Sequence, residues 1–235
     1  MPKVFQDYSD VRHKGSCFHC HAALGTNPSN REHIPSKCFL EKPYPPDLPQ
    51  IQVCCACNES YSRDEEYFAA FLSTVLSGTT DPRQQVLQTG KRILSRNKSL
   101  RGRIDYARQD TFFDNPTWTP EFDRIKRVVI KNARGHAFFE GGEPMFEQPS
   151  DVLIVPLPSL PEEQAQELLR GELFQAWPEV DSRWMQRVLE EEGAFDENGF
   201  YVFQPKCYKF KLEISGPLRV VSVIGEYLLT SVTWN

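Results

Sequence analysis

The sequence predicts an α+β protein: a metal-stapled N-terminal module, then helices, then a C-terminal domain containing an antiparallel sheet. Three observations predict it. Six of the seven cysteines (Cys17, Cys20, Cys38, Cys54, Cys55 and Cys57) fall within 41 residues of a stretch with little apolar periodicity. Helical spacing of apolar side chains dominates from residue 62 to residue 133. Near the C-terminus Tyr208, Phe210, Leu212 and Ile214 alternate with Lys209, Lys211 and Glu213, which is the period of a strand.

The elements follow in order. Residues 1–16 read as a short polar arm. Residues 17–62 cannot build a core unaided and need a staple. Ser62 and Glu65 form a capping box ahead of Tyr67, Phe68, Phe71, Leu72, Val75 and Leu76 on one face, with Gly78 as the stop. Thr79-Thr80-Asp81-Pro82 opens a helix over 82–108, and residues 110–120 read as a loop. Ile125, Val128 and Val129 mark a third helix over 121–133, with Gly135 after it. Val152 to Val155 is a short strand, and 161–177 and 181–192 are helices with acidic outer faces. An alternating strand with one wet face then begins at Tyr208. Ser215-Gly216-Pro217 turns it into a strand at Leu218–Val223, and a last strand lies around Leu228 to Trp234. The expected organisation is a stapled module at 1–78, a basic helical segment at 79–120 and an acidic α+β domain at 121–235.

Composition sets limits on function. With 40% hydrophobic and 25% charged residues the chain is ordinary for a folded protein. No apolar run approaches the roughly 18 residues of a membrane span, and the start has no apolar leader, so the expectation is a cytoplasmic protein without a membrane role. The net charge of −5 is segregated. Residues 140–200 hold fifteen acids against three bases, a balance of −12 that leaves +7 for the rest. Residues 83–108 carry Arg83, Lys91, Arg92, Arg96, Lys98, Arg101, Arg103 and Arg108 against Asp105 alone. Lys91, Arg92, Arg96, Lys98, Arg101 and Arg103 are therefore the candidate nucleic-acid-binding residues, since such a segment can neutralise phosphates. The acidic domain could take a protein partner.

Cysteine clustering in a reducing compartment reads as metal binding rather than a disulfide framework. Cys17-Phe18-His19-Cys20 and Cys54-Cys55-Ala56-Cys57 supply two CxxC pairs, 33 residues apart, enough for one closed tetrahedral zinc site. His19 and His21 are alternative ligands, though four thiolates suffice. Between the pairs stands Arg31-Glu32-His33-Ile34-Pro35, and Asn58 directly follows the last cysteine.

That order, CxxC, EHxxP, CxxCN, resembles the HNH (ββα-metal) endonuclease superfamily, in the zinc-stapled branch typified by phage endonuclease VII. The resemblance spans about residues 17–66. It implies a ββα-metal module of two strands flanking Glu32-His33 and a helix after Cys57. It also implies structural Zn2+ on Cys17, Cys20, Cys54 and Cys57, His33 as general base, and Glu32 and Asn58 as ligands of a catalytic Mg2+ or Mn2+. The residue types suit phosphodiester hydrolysis: a near-neutral imidazole deprotonates water, and a hard cation takes a carboxylate and an amide oxygen. Adjacent residues of a strand point to opposite faces, so Glu32 and His33 need a bulged turn to serve one phosphate. Many family members carry an asparagine about five residues before the second CxxC. None occurs between residues 31 and 57 here, so another carbonyl must orient His33. If the helix starts late, Asp64, Glu65 or Glu66 could add a metal oxygen, Glu65 first; otherwise they are acids favoured at a helix N-terminus. The expected activity is hydrolysis of DNA, with RNA left open, of a kind that would suit a restriction or anti-phage effector. The alternative is a catalytically silent zinc-binding module in a recognition protein.

Overall fold

Between Ser29 and Ser77 the chain runs strand, strand, helix. Strand β1 (Ser29–His33) pairs antiparallel with β2 (Gln50–Cys54), in unbroken register from Ser29↔Cys54 to His33↔Gln50. Helix α1 (Cys55–Ser77) follows β2 without a linker. The structure is a computed structural model that describes residues 14–46, 48–109, 116–170, 182–214 and 216–235. The expected arm at 1–16 lies largely outside these residues.

Helix α1 begins eight residues before the capping box places it. Its cap is Cys54, whose thiol accepts the Cys57 N–H at 3.4 Å, and Ser62 is an exposed residue within the helix. A sulfur at the end of β2 satisfies a first-turn donor, so the hydroxyl has nothing to cap. The C-terminus is as expected, with Gly78 in the left-handed conformation at φ 65°.

The single helix expected over 82–108 is two: α2 (Gln88–Arg96) and α3 (Lys98–Tyr106). Asn97 separates them, its side chain capping α3 by accepting the Leu100 N–H at 3.0 Å. Two-residue strands β3 (Arg108–Gln109) and β4 (Thr117–Trp118) then pair. Of the expected loop at 110–120, residues 110–115 lie outside the described ones.

Helix α4 (Phe122–Gly141) runs straight through Gly135, expected as its stop, and ends at Gly142 with φ 83°. Gly135 is a point of close approach instead. A Cβ there would stand 2.7 Å from Ile34 Cδ1, just beyond β1.

The C-terminal sheet is antiparallel in the order β5–β9–β8–β7–β6. Its strands are β5 (Asp151–Pro156), β6 (Tyr201–Gln204), β7 (Tyr208–Glu213), β8 (Leu218–Ile224) and β9 (Leu228–Trp234). Tyr208, Phe210 and Leu212 point into the main core, as their alternation requires. The face expected to be wet is covered. Lys211 is 4% exposed, stands 4.9 Å over the Phe200 ring and donates to the Leu169 carbonyl at 3.1 Å. Phe200, Val221, Val223 and Leu229 make a second small core there, closed by Leu168 and Leu169 of helix α5 (Glu162–Leu169). Of the helix expected over 161–177, residues 171–181, with Trp177, lie outside the described ones. Helix α6 (Arg183–Glu190) fits the expectation for 181–192.

One continuous apolar core joins Phe39 and Leu40, helices α1 to α4, Trp184 and the sheet as far as Trp234. A buried ion pair fastens α6 to α4: Arg187 donates Nε and Nη2 to Glu140 at 2.7 and 2.9 Å, both side chains 1% exposed. Arg187 also lies 4.1 Å from the Tyr201 ring, and Tyr201 donates to Glu191 at 2.7 Å.

Two stability outcomes follow. Glu140→Ala should cost about 3–5 kcal/mol in denaturant unfolding, because it strands a buried guanidinium. Glu191 is partly desolvated, which alone would raise its pKa, but the Tyr201 hydroxyl, Arg187 and Arg183 outweigh that and hold it below its ordinary value. Its contribution is therefore present above the ordinary carboxylate pKa and lost as pH falls through the lowered native one. Glu191→Gln should flatten the acid limb of a stability–pH curve.

Candidate functional site

The first CxxC sits in a tight knuckle. The Cys17 N–H donates to the Ala22 carbonyl at 2.9 Å, the His21 N–H donates to the Cys17 carbonyl at 2.8 Å, and His21 takes φ 63° to close the turn. The second CxxC ends β2 and opens α1. The Sγ atoms of Cys17, Cys20, Cys54 and Cys57 consequently lie within 4.8 Å of one another, with Cys20 and Cys54 at 3.7 Å. A tetrahedral ion with Zn–S bonds of about 2.3 Å has sulfur–sulfur edges of about 3.8 Å, so the four thiols could hold a metal such as zinc. All seven cysteines are free thiols. Burial, then the adjoining Cys54 and Cys20 thiols, push Cys57 far up; a divalent cation removes that conflict. Cys38 and Cys55 stand outside the tetrad, and so do His19 and His21. The knuckle is tied to α4 by an apolar cluster of Cys17, Phe18, Ile34, Val53, Phe138 and others, with Phe18 stacked on Phe138 at 5.3 Å.

Glu32 points inward from β1 and its side chain is 3% exposed. Both oxygens are engaged: His19 Nε2 lies 3.0 Å from Oε2, and Lys131 Nζ lies 3.2 Å from Oε1. Lys131 comes from α4, is 2% exposed, and also binds Glu65 and the Ser36 hydroxyl, the latter at 2.9 Å. Ser36 is held in turn, its N–H donating to Asn132 Oδ1 at 2.8 Å. The Tyr61 ring closes the cluster, 5.2 Å from the His19 ring and 5.6 Å from Lys131 Nζ. Burial raises the Glu32 pKa, but the hydrogen bond and charge of His19 and the charge of Lys131 outweigh it and hold the carboxylate ionised. Lys131 is desolvated too, yet Glu32 and Glu65 raise its pKa.

His33 ends β1, half-buried, and its ring makes no hydrogen bond among the described residues. Burial and the nearby Lys37 lower its pKa, against the pull of Glu32, so the ring is neutral near pH 7. The regular pairing of Glu32↔Ile51 and His33↔Gln50 leaves no bulge within β1. The carbonyl expected to orient His33 is not found among the described residues.

Asn58 lies in α1 and donates to Asn30 Oδ1 at 2.9 Å, two residues before Glu32 on the same strand. Glu65 shares Lys131 with Glu32. Asp64 is bound by Arg124 at 2.6 Å and Arg127 at 2.5 Å, and Glu66 by Arg96 at 2.7 Å. These acids lie well inside α1, so neither a late helix start nor the helix dipole accounts for them; cations of α4 and α2 do. A hard cation needs oxygen ligands at about 2.1 Å. With both Glu32 oxygens taken and an ammonium alongside, Glu32, Asn58 and Glu65 as arranged do not fit such an ion.

Among the expected nucleic-acid-binding residues, Arg96 pairs with Glu66 and Arg103 with Glu121. Lys91, Arg92 and Lys98 are exposed and, with Arg101, form no salt bridge among the described residues.

Sequence reasoning offered His19 only as an alternative metal ligand and missed Ser36, Tyr61 and above all Lys131. A signal existed for the last: helical spacing from Val128 carries Lys131 and Asn132 onto the inward face of α4, where an unpartnered lysine is untenable. No family model, curated protein or solved structure matches the chain.

Elemental analysis should find about one thiophilic ion, zinc foremost, per chain. Cys57→Ser should lower that content and the melting temperature together; a variant that melts like the wild type would deny the tetrad a structural role.

Proposed function

We propose that the stapled hairpin and α1 form an HNH-type endonuclease that hydrolyses phosphodiester bonds of DNA, with structural zinc on Cys17, Cys20, Cys54 and Cys57. The observation that carries the reading is His33: a neutral, half-buried imidazole, without a hydrogen bond among the described residues, at the end of a strand whose partner leads into a thiol-capped helix. Such a ring can accept a proton from water as the water oxygen attacks phosphorus and the ester oxygen leaves. Lys37, exposed beside it, adds positive charge where a phosphate would approach. The exposed cations Lys91, Arg92 and Lys98, with the partly buried Arg101, could track a phosphate backbone, DNA or RNA alike, and α2 is joined to α1 next to Glu65 through the Arg96–Glu66 pair.

The resemblance implies Mg2+ or Mn2+ as the catalytic ion, but the reading does not rest on it, because both Glu32 oxygens and one Glu65 oxygen are bound to other partners. Those same commitments favour a second reading, a catalytically silent zinc-binding module in a recognition protein. The two are separated by plasmid nicking with Mg2+ or Mn2+. The hydrolase reading expects wild-type cleavage that falls by roughly 100-fold or more in His33→Ala. Folded, zinc-loaded protein whose wild type and variant leave DNA and RNA equally intact would establish the silent module.

A further inference from the structure

The strongest feature outside the expected catalytic set is Lys131. It stands 98 residues beyond His33 in sequence, yet its ammonium is as buried as the carboxylate it meets, 2% against 3% exposed. It contacts Glu32, Glu65 and the Ser36 hydroxyl, three oxygen donors drawn from β1, from α1 and from the turn after β1. Those are the elements from which a divalent ion would draw its ligands: Glu32 is the carboxylate the resemblance assigns to that ion, and Glu65 is the further oxygen expected of a helix that starts late.

We propose that the Lys131 ammonium is the resident cation of this site, occupying the place between Glu32 and Glu65 and closing Glu32 to divalent metal. The charge balance supports this. An ionised carboxylate buried to this degree needs a compensating cation and hydrogen bonds to its remaining lone pairs. Lys131 supplies the first to one oxygen, and His19 supplies a hydrogen bond to the other. An incoming ion would find both Glu32 oxygens and Glu65 Oε1 already bound, and would face the repulsion of a fixed positive charge. It would have to expel a buried lysine whose stem is packed on the inward side of α4. The Tyr61 ring, 5.6 Å from the ammonium, seals the remaining side with the electron-rich face that a cation prefers. Lys131 is thus a positioning residue: it binds the Ser36 hydroxyl just beyond His33 and so also fixes the turn through which His33 is presented. The inference stands apart from the hydrolase reading, from which it takes only Mn2+ as the probe.

The test is Mn2+ binding to zinc-loaded protein, followed by calorimetry and by loss of the free-ion electron paramagnetic resonance signal. Wild type and Glu32→Gln should give the same isotherm. Lys131→Met should gain one Mn2+ per chain, bound at least ten-fold more tightly than any on the wild type, and Glu32→Gln/Lys131→Met should lose it again. A wild-type Mn2+ site that disappears in Glu32→Gln overturns the proposal, and so does a folded Lys131→Met that binds no more Mn2+ than wild type. Should the variants not fold, wild-type crystals soaked in Mn2+ decide alone. The expected map has no anomalous peak within bonding distance of Glu32; a peak there refutes the assignment. Plasmid nicking by the wild type is scored separately, so failure of the hydrolase reading and failure of this one are distinguishable.

Discussion

The structure depends on the burial of one carboxylate. Glu32 is removed from water in the middle of a two-stranded hairpin too small to shield a charge by itself, and it persists as an anion only because two other parts of the chain reach it. His19 arrives from the cysteine knuckle and Lys131 from α4, 99 residues downstream. The hairpin is therefore fastened to α4 by charge as well as by the stacking of Phe18 on Phe138 and the seating of Ile34 against Gly135. Helix α4 is also held near its C-terminal end by Arg187 on Glu140, and along its length by the sheet. Breaking either pair on one side alone leaves an uncompensated charge in a low-dielectric interior, a far larger cost than losing a surface bridge.

A metal on the four thiols and this ionic seam would solve different parts of the same difficulty. Residues 17–54 contribute few apolar side chains, so a metal on the tetrad would fix the fold of the knuckle against the end of β2. It cannot fix where that unit sits on the rest of the protein. The ionic network and the small apolar cluster around Phe18 do so, and their geometry sets which way Glu32 and His33 face. The two side chains serve different ends: the carboxylate is spent on architecture, while the imidazole is left with an unused ring at the surface of the seam. This division gives chemical content to the hydrolase reading and to its silent rival alike.

Much of this was legible in the residues. The CxxC pairs announced the tetrad because thiol spacing is a local property, and Tyr208-Lys209-Phe210-Lys211 announced a strand because side chains alternate by geometry. Helix ends were legible where glycine adopts the left-handed conformation, at Gly78, and misleading where glycine makes room for a neighbour, at Gly135. Ser62 had the spacing of a cap but no free donor to serve, since a cysteine sulfur had started the helix earlier. The wet face of β7 was covered by Phe200 and Leu169, contacts no local pattern encodes. The largest omission, Lys131 on Glu32, is of the same kind: a long-range pairing visible in sequence only as a lysine on the inward side of a helix.

The central claim is that Glu32 and Lys131 act as one unit across the hairpin and α4. A double-mutant cycle of Glu32→Gln and Lys131→Met, read by denaturant unfolding of the zinc-loaded protein, measures that coupling directly. The account predicts that the double variant is more stable than the two single losses added together imply, by roughly 1–3 kcal/mol. Losses that add to within about 0.5 kcal/mol would show the two charges to be independent, and would contradict it.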